Sequence, residues 1–200
     1  MHVNPKAVLA LLFLVVSSTG LSADFTKGQE AYNAGDYQTA LSEWQGLAEE
    51  GHADAQFGMG LLYANGFGVS LDDELALKWY RLAADKGHSE AQCNLAVMYS
   101  NGWGVPQSDE EAYKWYSLAA DGGVTAAQMS LGKMYSSGFG ISKDIIEAHK
   151  WFAIASELGD LSASFKRDEL AGKMSAEDIS EAENRANAWI DDHQHLLANH

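Results

Sequence analysis

The sequence predicts an all-α fold, a right-handed solenoid of stacked antiparallel helix pairs with about ten helices. The first reason is a repeat. The segment A-L-K-W-Y-R-L-A-A-D-K-G at 76–87 returns as A-Y-K-W-Y-S-L-A-A-D-G-G at 112–123 and as A-H-K-W-F-A-I-A-S-E-L-G at 148–159, a period of 36 residues. Trp79, Trp115 and Trp151 share one slot, Lys78, Lys114 and Lys150 the slot before it, and Tyr80, Tyr116 and Phe152 the slot after it. A fixed period of this length marks units that bury their apolar faces only by stacking on one another. The second reason is punctuation: glycines recur at fixed places in each unit, and only two prolines interrupt 200 residues. The third is the core available. Hydrophobic residues make up 46% of the chain, with a single cysteine, so stability comes from helix packing and not from disulfides.

Residues 1–23 have the pattern of an export signal. Lys6 supplies the positive start, 7–16 is an apolar run of ten residues, and Leu21, Ser22 and Ala23 end the segment, with cleavage expected after Ala23. A bilayer span takes about 20 apolar residues, so this run is too short for one. No cysteine follows the run, which argues against a lipid anchor. The expected product is exported, periplasmic or secreted, and not inserted in a membrane after cleavage. Formal charge is −15; removing 1–23 takes Lys6 and no acid, leaving 12 basic against 28 acidic residues, or −16. Such a surface repels nucleic acid and anionic lipid, so a nucleic-acid partner is not expected.

Residues 24–50 read as a first helical pair. Ala40, Leu41, Trp44 and Ala48 stand 36 residues before Ala76, Leu77, Tyr80 and Ala84, but eight residues separate Tyr32 from Ala40 where thirteen separate Tyr63 from Ala76. A shortened first unit is what a capping repeat looks like. Three full units follow at 51–86, 87–122 and 123–158, opening on Gly51, Gly87 and Gly123, each suited to end the previous helix in left-handed conformation. Ser89 with Gln92, and Thr125 with Gln128, have capping-box spacing for the first helix of a unit. His52 and His88 share a slot just after the opening glycine and are expected to decorate the turn. Each first helix ends in a glycine pair around a ring: Gly66-Phe67-Gly68, Gly102-Trp103-Gly104 and Gly138-Phe139-Gly140, with the ring expected to tuck the loop onto the core. Asp72, Ser108 and Asp144 suit the cap of the second helix, and Glu111 and Glu147 complete boxes with two of them. Cys93 shares a slot with Phe57 and Met129 and reads as a small buried side chain. Residues 159–200 lose the glycine–ring–glycine loop; Ser175 and Asp178 start a last helix carrying Ile179, Ala182, Ala186 and Ile190, a cap expected to cover the final apolar face.

These motifs resemble the Sel1-like repeat, a relative of the tetratricopeptide repeat. The likeness rests on Ala-Gln at 55–56, 91–92 and 127–128, on Tyr63, Tyr99 and Tyr135 ahead of the glycine loops, and on the Lys-Trp-aromatic segments. The first pair is closer to a tetratricopeptide unit. The resemblance implies a non-catalytic adaptor for a protein or peptide partner, without a cofactor, or a part of a cell-envelope machine. A cysteine-rich branch of the family is linked to β-lactam binding and hydrolysis, but it carries cysteine pairs where this chain has Cys93 alone.

Slots that repeat unchanged are explained by stacking, so a ligand is sought where the copies differ. In the first helices these slots are Asp54, Gly58, Leu61, Asn65; Glu90, Asn94, Val97, Asn101; and Ala126, Ser130, Lys133, Ser137. Steps of four, three and four put them on one helical face. As first helices line the inner wall of such solenoids, Asp54, Leu61, Asn65, Glu90, Asn94, Val97, Asn101, Ser130, Lys133 and Ser137 form the expected partner groove. Other chemistry is thin. Ser130 and Lys133 spell the S-x-x-K of penicillin-interactive enzymes, without its K-T-G or S-D-N companions. His193, His195 and His200 make a His-bearing tail, but neighbours two apart point to different sides of a helix, and no metal site is expected.

Overall fold

The computed structural model describes residues 24–194; the expected export signal and His195 and His200 lie outside them. Ten helices run in order: α1 (Phe25–Asn33), α2 (Tyr37–Glu49), α3 (Ala53–Asn65), α4 (Asp73–Ala84), α5 (Ser89–Asn101), α6 (Asp109–Asp121), α7 (Thr125–Ser137), α8 (Ile145–Glu157), α9 (Leu161–Ala171) and α10 (Ala176–Asp192). No strand occurs among the described residues. Each helix packs on the next from α1 to α9, forming an α-solenoid, and α10 packs on α8.

The helix starts show which polar side chains the repeat needs. Asp72, Ser108 and Asp144 cap α4, α6 and α8 as expected, accepting from backbone N–H groups of the first turn. The other half of the expected boxes is absent: the cap residues' own N–H groups donate to the carbonyls of Tyr63, Tyr99 and Tyr135, at 3.1, 3.0 and 3.0 Å. The starts of the first helices correct the sequence reading. His52 and His88 are caps and not ornaments, each accepting through Nδ1 from Ala55 and Ala91. Ser89 and Thr125 are the first residues inside their helices, and the cap position of α7 is Val124, with no side-chain bond. Gln92 and Gln128 have another task, shared with Gln56. These buried amides donate to the carbonyls of Ala84, Ala120 and Ala48, at 3.1, 3.2 and 3.0 Å. Each thus brings a second donor to a carbonyl at the end of the preceding unit's helix, which also accepts from the N–H of Gly87, Gly123 or Gly51. That contact needs a long primary amide, which explains why the glutamine repeats.

Packing centres on two layers. Ala40, Ala76, Ala112 and Ala148 are fully buried, as are Ala55, Ala91, Ala127 and Ala163; only methyl groups allow the helices to approach this closely. The ring slot of Trp44, Tyr80, Tyr116 and Phe152 is buried in every unit. The repeated tryptophans sit one residue earlier and are less uniform: Trp115 and Trp151 are buried, Trp79 only half-buried. The preceding lysine lies over each ring, 5.8, 5.3 and 4.3 Å from the centroids of Trp79, Trp115 and Trp151, which accounts for the repeated Lys-Trp pair. Cys93 is buried as expected, and burial pushes its thiol up to about 11, so at neutral pH it is an unreactive apolar filler.

The loop rings divide. Phe67 stacks on Tyr37 at 4.4 Å, but Trp103 and Phe139 are 51% and 54% exposed, against the expectation that they tuck in. The reason is the partner slot: 36 residues after Tyr37 stand Asp73 and Asp109, which offer no ring to stack on. What all three loops share is the second glycine, which lies against the start of the preceding unit's second helix, at Tyr37, Asp73 and Asp109.

The C-terminal cap also departs from expectation. α10 lies along α8, where Trp189 meets Trp151 at 6.1 Å and 64°. α9 keeps the first-helix register through fully buried Ala163, but its outer face stays open, with Leu161 80% and Phe165 81% exposed. Under this cap His149 is buried with its Nδ1 unpartnered. Burial lowers its pKa from 6.5; Glu183 and Asp168 oppose this and Arg167 adds to it. A depressed folded-state value means the unfolded chain takes the proton first. The contribution of neutral His149 is therefore complete above pH ~6.5 and declines as pH falls through the folded-state value. Thermal melts from pH 7.5 to 5 are expected to show a decline that His149→Leu flattens; an unchanged slope in the variant would remove His149 from the account.

Candidate binding surfaces

α3, α5 and α7 place the variable slots in one stripe. Asp54, Asn65, Glu90, Asn101, Lys133 and Ser137 are exposed, and Leu61, Asn94, Val97 and Ser130 half-buried. Two depressions open along it. One, about 340 Å³, lies between α1, α3 and α5 and includes Asp54, Leu61, His88 and Glu90 in its walls. The other, about 310 Å³, lies between α3 and α5 beneath the loop ring Trp103, and takes Leu61, Asn65, Asn94 and Val97. Leu61 is common to both, so six of the ten expected groove residues line two depressions that adjoin at this side chain. Asn101, Ser130, Lys133 and Ser137 continue the stripe outside these two walls.

The polar groups are partly spent on the helices themselves. Asn65 and Asn101 donate their amides to the carbonyls of Leu61 and Val97, both at 2.8 Å, which leaves their side-chain oxygens to face outward as acceptors. Ser130 and Ser137 donate to Ala126 and Lys133 at 2.8 Å. The serine of the S-x-x-K spacing therefore spends its hydroxyl on its own helix. The carboxylates frame a histidine: His88 Nε2 is 3.4 Å from Asp54, and its Nδ1 3.3 Å from Glu90. Among the described residues no group of three or more His, Cys, Asp or Glu side chains could hold a metal ion, and no helix is long and apolar enough to cross a membrane.

A larger cavity, about 820 Å³, lies on the second-helix side between α6, α7, α8 and α10. Its walls are Tyr113, Ser117, Tyr135, Trp151 and Trp189, with Glu110, Glu111 and Glu147 among the charged groups at its edge. The two tyrosine hydroxyls are 2.7 Å apart and their rings meet edge to face, at 5.9 Å and 87°. Burial and the Tyr113 hydroxyl raise the Tyr135 pKa, so its phenol stays neutral. Sequence reasoning missed this site because α10 completes it, and nothing in the repeat pattern says where a helix after the last repeat will lie. Trp189, alone among the charged and amide-bearing residues of that helix, was the available signal.

The Sel1 repeat family model matches residues 53–88, 89–124 and 125–160. The chain belongs to the Sel1 repeat family. The matched units start two residues after the glycines at 51, 87 and 123. Among solved structures the chain is similar to a Sel1 repeat protein from Oxalobacter formigenes, with 35% identity and a TM-score of 0.68, covering 70% of this chain and 58% of that one. It is also similar to c5321, a protective antigen of uropathogenic Escherichia coli strains displaying an SLR fold, with 26% identity and a TM-score of 0.60, covering 84% of this chain and 44% of that one. The chain thus spans less than two thirds of the length of either. Comparison with curated protein sequences finds no match.

Sel1 repeat proteins are generally protein-interaction scaffolds, and the Sel1 register shows which variable slots have a packing reason. At slot 58/94/130 each residue faces the ring of the preceding unit. Gly58 lies under Trp44, where an added Cβ would come within 2.5 Å of the indole. Asn94 and Ser130 stand beside Tyr80 and Tyr116, where each partly offsets the rise that burial gives that phenol's pKa. Glycine accommodates the wide indole, whereas a short polar side chain serves a phenol. Variation at this slot thus follows variation in the previous ring.

Proposed function

We propose that this Sel1 repeat chain is an exported, non-catalytic scaffold that holds a segment of a partner protein along α3 and α5. The observation that carries this reading is the trough formed by two depressions that share Leu61, with apolar walls at Leu61 and Val97 and acceptors at Asp54, Glu90 and Asn65. Apolar walls with a few convergent polar groups are what a peptide site requires. Export rests on Lys6, the apolar run 7–16 and the small-residue ending at Ala23. Cleavage there would also suit the fold. The backbone nitrogen of Asp24 donates to Glu43 at 3.1 Å, beside the Lys27–Glu43 pair. Processing after Ala23 would turn that amide into an α-ammonium facing a carboxylate that is only 8% exposed.

The test is crosslinking and capture from the native envelope with the wild type and with Asn65→Arg combined with Glu90→Arg. Both side chains are exposed and each lines a different half of the trough, so stability should change by no more than about 0.5 kcal/mol per site. The captured partner should disappear with the double variant while the melting curve stays in place. Undiminished capture would mean that the trough is not the docking surface. N-terminal sequencing of the same preparation should begin at Asp24.

A further inference from the structure

The cavity between α6, α7, α8 and α10 is compared most usefully with the same place one unit earlier. There the Arg81 guanidinium lies over the Tyr99 ring, 5.5 Å from its centroid, and donates to the Tyr99 hydroxyl. Thirty-six residues on, Tyr99 becomes Tyr135 but Arg81 becomes Ser117. Ser117 is too short to reach the ring and turns its hydroxyl back to the Tyr113 carbonyl at 2.8 Å. The second change is at Leu77, which becomes Tyr113 and adds a hydroxyl 2.7 Å from that of Tyr135. One unit therefore carries its own guanidinium on the tyrosine, and the next presents the same tyrosine, a further acceptor and an open space.

We propose that this cavity binds an arginine side chain carried by a partner peptide, with the guanidinium over Tyr135. A guanidinium suits this place for three reasons. It is attracted by the face of an electron-rich ring. Its planar array of donors matches the paired tyrosine hydroxyls. And the edge carries more acid than base: Glu110, Glu111, Asp121 and Glu147 stand there against Lys114 and Lys150. Glu147 is paired with Lys150 and Arg185, and Glu111 lies 3.7 Å from Lys114, so Glu110 and Asp121, in a chain of net charge −15, supply the attraction for an incoming cation. Trp151 and Trp189 supply an apolar wall for the residues on either side of the arginine, and a space of about 820 Å³ holds more than one side chain. The site is separate from the trough on α3 and α5 and does not depend on it.

The probe is the capped tripeptide acetyl-Leu-Arg-Leu-amide, with the citrulline tripeptide as its uncharged isostere. Binding to the full chain is followed by calorimetry and by the indole N–H resonance of Trp189. The arginine peptide should bind, and the citrulline peptide should bind at least tenfold more weakly. Tyr135→Leu should weaken the arginine peptide about tenfold. Ser117→Arg should restore the internal pair of the preceding unit, raise the melting temperature and abolish peptide binding. Equal affinity for the two peptides, no binding of the arginine peptide at millimolar concentration, or undiminished binding by folded Ser117→Arg would each overturn the proposal. Should Ser117→Arg fail to fold, the Tyr135→Leu and citrulline comparisons decide alone.

Discussion

Trp44→Ala is expected to destabilise the protein by about 3–5 kcal/mol, the usual cost of emptying a fully packed aromatic site. The indole is 1% exposed, its Nε1 donates to the Phe25 carbonyl at 3.2 Å, and it packs between Gly28 and Gly58 with the rings of Phe25 and Tyr32 alongside. It joins α1, α2 and α3, so no single helix can move to fill the space. At roughly 2–4 °C per kcal/mol for a domain of this size, the melting temperature should drop by roughly 6–20 °C. Trp79→Ala is the matched control, because Trp79 is only half-buried; its effect should be about half as large or less. Urea unfolding followed by circular dichroism measures both. Equal losses would mean that the repeated tryptophan slot holds the units together as firmly as the ring slot after it, against the difference in burial. Since each unit touches only its neighbours, the Trp44 variant should open first between residues 24 and 65.

Gly104→Val should cost about 2–5 kcal/mol, from two separate causes. The backbone there is left-handed, with φ +65°, which costs a side-chain-bearing residue about 1–2 kcal/mol. A Cβ would also lie 2.5 Å from the carbonyl oxygen of Asp73, and relieving such overpacking costs about 1–3 kcal/mol. The obstacle is the backbone at the start of α4, which cannot swing aside as a flexible side chain would. Gly87→Val separates the causes: its φ is +87°, but nothing lies within 4 Å of the added carbon. It should therefore show the backbone cost alone. If the two variants melted together, the close approach of the loop to α4 would not matter.

Much of the architecture could be read from the period. The slots of Asp72, Ser108 and Asp144 as caps, of Cys93 as buried filler and of the glycines at helix ends followed from local rules: a cap needs a short acceptor, and a left-handed turn favours glycine. Gln92 and Gln128 were misread because the spacing of a capping box is the same whether the amide turns back on its own helix or reaches the preceding one. Trp103 and Phe139 were misplaced for a related reason. Whether a loop ring is covered depends on the residue opposite, and Tyr37 is followed by aspartates at its two later slots. The stripe on α3, α5 and α7 was legible as a face. That Leu61 joins two depressions, and that Asn94 also serves Tyr80, required the neighbouring unit to be in place.

By itself the sequence determined that this chain is a stack of helical pairs and where each helix turns, because period, glycine and cap are properties of residues close together along the chain. Only the tertiary structure decided which surfaces are hollow. The large cavity needs α10 to lie on α8 instead of on α9, and it needs Ser117 to face Tyr135 where Arg81 faces Tyr99. A hollow is set by what fails to fill the space between distant segments, and no local pattern records that.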